Sequence, residues 1–157
     1  NWILIMKTNE FQHLLLRTAV TVMACDGSID EEEINEIKRM VETEIYFIGY
    51  NIDQPLRDSI DYVKVDCAKA ANEYLDDLAK AELNARQELL LIEVLIRTIE
   101  ADSKIQDDEI KFLQLVKSKL NISEEALITK FPKQMNYLID FKNYGSLDGF
   151  TNEIKFE

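Results

Sequence analysis

Hydrophobic residues recur every three or four positions along most of this chain, as they do on the buried faces of amphipathic helices. The first such stretch begins near Thr8 or Asn9 and carries Phe11, Leu14, Leu15, Thr18, Ala19, Val22 and Met23. The second starts at Asp30, runs to about residue 48 and carries Ile34, Ile37, Met40, Val41 and Ile45. A polar turn, residues 25–28, lies between them. The spacing therefore predicts two helices joined by an acidic turn.

Further helices are predicted by local start and stop residues. Pro55 in the first turn of a helix, after a cap at Asp53, indicates a short helix, and another covers roughly residues 66–82. Asn84 and Gln87 form a capping-box pattern before the most apolar stretch, which predicts a central buried helix. Helices around residues 110–120, 124–130 after Ser123, and 134–141 complete the series.

Composition agrees with this pattern. Four glycines and two prolines among 157 residues are too few for the turns of a strand-rich fold. The sequence therefore predicts an all-α fold of about seven helices, with one domain over residues 1–141 and an irregular C-terminal tail over 142–157. A hydrophobic fraction of 46% without a membrane-length apolar run predicts a soluble protein, and two isolated cysteines fit the cytoplasm.

The net charge limits the classes of molecule that this chain is expected to bind. Eighteen Lys and Arg against thirty Asp and Glu give a formal charge of −12. Nucleic acid is disfavoured, because phosphate backbones are bound by basic patches and none is visible. An acidic chain is compatible with cations, basic partners or simple solubility.

An internal duplication is the most informative feature of the sequence. Residues 24–34 and 100–110 align at an offset of 76, which pairs Asp26 with Asp102 and Glu33 with Glu109. We predict two pseudo-symmetric halves, about 9–48 and 85–122, packed into one core with connecting helices over about 53–82. Each half is a helix, an acidic turn and a second helix.

The acidic turns permit two interpretations. The pattern Asp-x-x-Ile-x-x-x-Glu matches the end of an EF-hand loop, but Val22 and Ala24 occupy the first two ligand positions, so a true EF-hand fails. A different oxygen-ligand site for Ca²⁺, Mg²⁺ or Mn²⁺ remains open if the two turns converge, since such cations take several oxygens.

Helix capping is the second interpretation. Asp30 is a good N-cap, and Glu33 then takes the third helical position of a capping box, which explains the first turn without a metal. In the second copy Gln106 is a poor N-cap, so capping accounts for Glu109 less well than for Glu33.

Other candidate chemistry is sparse. His13 is the only histidine, which excludes a multi-histidine zinc site, and no nucleophile elbow or phosphate-binding glycine motif is present. Glu93 and Arg97 are expected to form either an i,i+4 pair or a buried polar contact, with Arg17 as a possible partner. The aromatic residues between the halves are expected in the core, although an exposed groove there would mark a partner site: Tyr46, Phe47, Tyr50, Tyr62 and Tyr74.

The two turns resemble the characteristic segment of the TerB (tellurite-resistance) family, an apolar helix ending in Ala-x-Asp-Gly, then an aliphatic residue and a helix-start glutamate. Residues 22–33 carry this pattern, and residues 99–109 resemble the family's second half with Ser103 in place of the glycine. The resemblance covers roughly residues 9–140. It implies an all-helical, cytoplasmic, non-enzymatic domain linked to stress or tellurite resistance and to membrane-associated complexes.

The resemblance also implies a divalent-cation site in the turns, carried over to Asp26, Glu33, Asp102 and Glu109, with Asp30 as a secondary addition. We therefore expect a non-enzymatic module that binds a divalent cation or docks protein partners through these turns. The alternative is a metal-free helical scaffold that binds proteins elsewhere. An enzyme using paired carboxylates is the third and least supported hypothesis, since no motif favours it.

Overall fold

The computed structural model describes residues 8–139, which form eight α-helices and three short 3-10 turns with no strand among them. The helices are α1 (Thr8–Met23), α2 (Glu31–Thr43), α3 (Asp53–Val65), α4 (Cys67–Lys80), α5 (Ala85–Ile99), α6 (Asp107–Ser118), α7 (Glu124–Lys130) and α8 (Met135–Leu138). The all-α prediction is confirmed, with one α-helix more than the approximate count of seven. The predicted pseudo-symmetry stays a prediction, and the tail 142–157 lies outside the described residues.

Side-chain caps fix several helix starts. The Asn84 side chain accepts the backbone N–H of Gln87 at 2.8 Å, and the Gln87 side chain accepts that of Asn84 at 3.0 Å. Ser123 caps α7 in the same way by accepting the N–H of Ala126 at 3.1 Å. Each such cap satisfies backbone donors that a helix leaves unpaired at its first turn. These two caps confirm the sequence prediction.

Two boundaries differ from the prediction. Helix α2 ends at Thr43 rather than near residue 48, because Glu44 adopts an extended backbone and the chain continues in a 3-10 turn, Ile45–Phe47. Gly49, with φ of +74°, then redirects the chain towards α3. The last helix covers four residues because a 3-10 turn follows the break at Pro132. These 3-10 turns have no hydrophobic periodicity, so the sequence pattern did not predict them.

The core lies between α1 and α5, which pack along one another, while α3, α4 and α6 cover them. Nine of the fifteen residues of α5 are buried, as its continuous apolar surface predicted. On α4, Tyr74 is fully buried, and its ring centroid lies 5.7 Å from that of Phe112 on α6. Within residues 8–139, no helix is both long and apolar enough to cross a membrane. Carboxylates from the acidic turns that follow α1 and α5 come together in this arrangement.

Candidate functional site

The first acidic turn is built by a glycine and a capping box. Helix α1 continues into a 3-10 turn, and Gly27 closes it at φ +84° by donating its N–H to the carbonyl of Ala24 at 3.1 Å. Asp30 is the N-cap of α2. Its side chain accepts the backbone N–H of Glu33, and its own N–H donates to Glu33 Oε1 at 3.3 Å. The turn therefore holds two carboxylates side by side at the start of α2.

The second acidic turn follows α5 and uses the same local devices. Asp102 Oδ1 accepts the backbone N–H of Lys104 at 2.9 Å, which folds the chain back on itself. Gln106 is the N-cap of α6, and its N–H donates to Glu109 Oε1 at 2.9 Å in a complete capping box. The expectation that capping explains Glu109 less well than Glu33 is wrong. Glu109 accepts the N–H of its N-cap residue at 2.9 Å, a shorter distance than the 3.3 Å at which Glu33 accepts that of Asp30.

The two turns meet in space. One carboxylate oxygen from each of Asp30, Glu33 and Asp102 lies within 4.8 Å of the others. Glu33 is 1% exposed, whereas Asp30 and Asp102 are half-buried and line a cleft of about 430 Å³. The remaining cleft residues are Glu31, Glu32, Asn35, Ser103 and Lys104. We call Asp30, Glu33 and Asp102 the carboxylate triad.

The triad offers the ligand type that hard divalent cations prefer. Ca²⁺ takes six to eight oxygens at about 2.3–2.6 Å in flexible geometry, whereas Mg²⁺ demands an octahedron at about 2.0–2.1 Å. Three carboxylates would supply part of such a shell, and the open cleft beside them leaves room for water. Lys104 also lines this cleft, so its ammonium opposes part of the negative charge.

Comparison with known proteins places this arrangement in a family. The family model described as "Tellurite resistance protein TerB" matches residues 13–130, which include both acidic turns and more than half of the 157-residue chain. The chain belongs to the TerB family. No curated protein and no solved structure gives a significant match.

Within this TerB domain, the five predicted site residues fall into three groups. Asp30, Glu33 and Asp102 come together. Glu109 is 2% exposed and caps α6, outside the triad. Asp26 belongs to the 3-10 turn Ala24–Asp26, and its side chain lies outside what the structure describes. Asp30, which the family pattern ranked last, is thus a central member of the triad.

A second polar cluster in the TerB domain joins α2 to α5. The sequence pattern predicted a polar contact at Arg97 but not the residues that Arg97 binds. Arg97 contacts Glu36 through Nε and Nη2, both at 2.9 Å, and Glu44 through Nη1 at 3.0 Å. Partial burial lowers the pKa of Arg97, but the hydrogen bonds to Glu44 and Glu36 outweigh it and raise the pKa overall. Arg97 therefore remains a cation that ties the two helices together.

Glu93 and Arg17 have separate partners, whereas a polar contact that includes Arg17 was one of the two expectations. Tyr46 donates its hydroxyl to Glu93 at 2.8 Å, and burial together with this bond raises the pKa of Tyr46. Arg17 pairs with Asp77 on α4 at 3.0 Å and lies over the ring of Tyr74. The four-residue separation of Glu93 and Arg97 did not predict the contacts of Arg97 with Glu36 and Glu44. Contacts between residues far apart in sequence produce no periodic pattern.

The aromatic segment between the halves is only partly core. Phe47 and Tyr74 are fully buried as predicted, whereas Tyr62 is 49% exposed. Beside Phe47, Ile45 and Ile48 are 73% and 70% exposed. His13, the single histidine, shares a hydrogen bond of 3.0 Å with the hydroxyl of Tyr50, whose pKa burial raises to about 12.

Proposed function

We propose that the chain is a non-enzymatic, cytoplasmic TerB module that binds a divalent cation at the carboxylate triad and works with protein partners in a stress-response or tellurite-resistance system. Ca²⁺ is the first candidate, followed by Mg²⁺ and Mn²⁺. The observation that carries the proposal is the convergence of Asp30, Glu33 and Asp102 from two turns that are about 70 residues apart in sequence.

The electrostatics of the triad favour a cation. Two carboxylates about 5 Å apart repel each other by about 1 kcal/mol in water, and by several times more where water is excluded. Glu33 is buried and the other two are half-buried, so solvent screens the three charges only in part. A divalent cation between them would replace this repulsion with attraction.

The structural roles of the same side chains do not compete with this function. Glu33 and Asp102 each accept a backbone N–H through one oxygen, Oε1 and Oδ1 respectively. A carboxylate has two oxygens and about four lone-pair sites, so one side chain can accept such a bond and ligate a metal at once. The capping bonds would then hold the ligands in place before the cation arrives.

The test is calorimetric titration of chelator-stripped protein with Ca²⁺, Mg²⁺ and Mn²⁺. A triple variant, Asp30→Asn with Glu33→Gln and Asp102→Asn, removes three negative charges but keeps every side-chain oxygen that accepts a backbone N–H. We expect saturable binding by the native chain and none by the variant, because neutral amides are far weaker ligands than carboxylates.

The matched control is Glu109→Gln, which makes the same change in the capping box of α6. This variant should bind the cation with native affinity, since Glu109 lies outside the triad. A native chain that binds none of the three cations would overturn the proposal and leave the triad as three helix-cap and turn residues.

A further inference from the structure

The guanidinium of Arg97 bridges the two elements that deliver the triad. Asp30 and Glu33 stand at the start of α2, and Asp102 follows the end of α5 by three residues. Arg97 lies in the last turn of α5 and forms ion pairs with Glu36 in α2 and with Glu44, the C-cap residue of α2. Glu36 and Glu44 are eight residues apart in sequence, and their side chains converge on this one guanidinium.

Two ion pairs from one guanidinium restrict the placement of α2 more than a single ion pair would. The planar guanidinium donates in a rigid fork, so its two acceptors set both the position and the direction of the helix that carries them. Glu36 lies one helical turn beyond Glu33, and Arg97 precedes Asp102 by five residues. A slide or rotation of α2 against α5 would therefore break these contacts and separate the triad in the same movement.

We infer that Arg97 is a positioning residue for the cation site, which holds the two acidic turns in register without itself contacting the cation. The inference rests on the proposed function. It adds that the affinity of the triad for the cation depends on the ion pairs of Arg97 with Glu36 and Glu44. The bound cation and these ion pairs would then stabilise each other. The side chain of Arg97 is 27% exposed, so solvent screens this bridge less than a fully exposed pair.

The first test is Arg97→Lys, which keeps the positive charge but replaces the fork with a single ammonium. We expect its Ca²⁺ affinity to fall about tenfold, the lower end of the loss seen when groups that orient metal ligands are changed. Luminescence lifetimes of bound Tb³⁺ in H2O and D2O should show about one additional water on the ion, because a displaced carboxylate leaves its place to solvent.

The matched control is Arg17→Lys. Arg17 is similarly exposed, at 29%, and its ion-pair partner Asp77 lies on α4, which carries no residue of the triad. This variant should lose comparable stability in urea unfolding yet keep native Ca²⁺ affinity and native Tb³⁺ hydration. A purely structural role for Arg97 predicts that the two variants behave alike.

A second pair of variants keeps the inference testable if Arg97→Lys does not fold. Glu44→Gln removes one arm of the bridge about 16 Å along α2 from Glu33, beyond the reach of a direct charge effect at physiological salt. Glu42→Gln removes an exposed charge that lies closer to Glu33 in sequence. We expect weaker Ca²⁺ binding only in Glu44→Gln.

The outcomes separate the two proposals. A native chain that binds neither Ca²⁺ nor Tb³⁺ removes the proposed function and this inference with it. Native binding that stays unchanged in both Arg97→Lys and Glu44→Gln leaves the cation site standing and overturns the positioning role alone.

Discussion

Helices α2 and α6 begin in the same way and end up in different chemical settings. Each has an extended N-cap residue, a glutamate at the third helical position and a complete capping box. Glu33 and Glu109 are almost equally buried, at 1% and 2% exposure. Among the side chains that the structure describes, the start of α2 comes together with a carboxylate from the other turn, Asp102, and Glu109 lies outside that group.

The difference lies at the N-cap and beside it. Asp30 brings a charge to the start of α2, whereas Gln106 is neutral. Ile29 packs against the core next to Asp30, while its counterpart Ile105 is 39% exposed. Capping and burial are common to the two helix starts, so they explain the positions of both Glu33 and Glu109. They do not explain why Asp30 and Asp102 lie close together. Any difference in cation response between the two starts therefore reports on the triad.

The largest expected effect is stabilisation by Ca²⁺. At a free concentration about 100 times the Kd, Ca²⁺ should raise the free energy of unfolding by about 2.7 kcal/mol, because it binds the folded state. Urea unfolding with Ca²⁺ and with chelator measures this gain. Asp102→Asn should lose it and Glu109→Gln should keep it. A gain that vanishes in Glu109→Gln as well would extend the site to Glu109 at the start of α6, as the family pattern first implied.

Replacing each capping glutamate by alanine should destabilise the cation-free protein to different extents. Glu109→Ala removes an acceptor at 2.9 Å and should cost about 1–2 kcal/mol of unfolding free energy. Glu33→Ala removes a longer bond, 3.3 Å, and also relieves repulsion from Asp30 and Asp102, so its cost should be smaller. Urea unfolding in chelator gives both values. An equal or larger cost for Glu33→Ala would contradict the like-charge repulsion assigned to the triad.

Making the second start resemble the first should stabilise the protein. Aspartate is a stronger N-cap than glutamine, and its charge suits a helix N-terminus, so Gln106→Asp should add about 1 kcal/mol to the unfolding free energy. The same urea experiment measures it. Asp30→Gln is the reverse exchange, and its cost should be smaller than that gain, because it also relieves repulsion from Glu33 and Asp102. An equal or larger cost would contradict this repulsion.

The sequence was sufficient for the features that local rules govern. Apolar spacing predicted α1 and α5 as buried helices, and cap residues predicted the starts at Asn84 and Ser123. The capping box of α2 was likewise readable from Asp30 and Glu33, because such bonds join residues three positions apart. The duplication also pointed to the two turns whose carboxylates come together in the structure.

The sequence was insufficient where distant residues meet. It grouped Glu109 with Glu33 because both fit one pattern, but the fold sets Asp102 against Asp30 and leaves Glu109 at its own helix start. Arg97 was expected either to pair with Glu93 four residues away or to form a buried polar contact, and neither expectation named its partners Glu36 in α2 and Glu44 at the C-cap of α2. Such contacts depend on how α2 lies against α5, and helical periodicity says which face is buried without saying what that face meets.

The smallest expected effect tests the same difference with one atom changed. Asp102→Asn keeps the oxygen that accepts the N–H of Lys104 and removes one charge from the triad. In chelator it should therefore raise the unfolding free energy, by about 0.5 kcal/mol for partly solvated charges. Asp107→Asn is the matched change in the first turn of α6, where a negative charge favours the helix, so it should lower stability instead. Opposite signs would show that the two starts differ in charge environment before any cation binds, and equal signs would mean that the triad carries no stored repulsion for a cation to relieve.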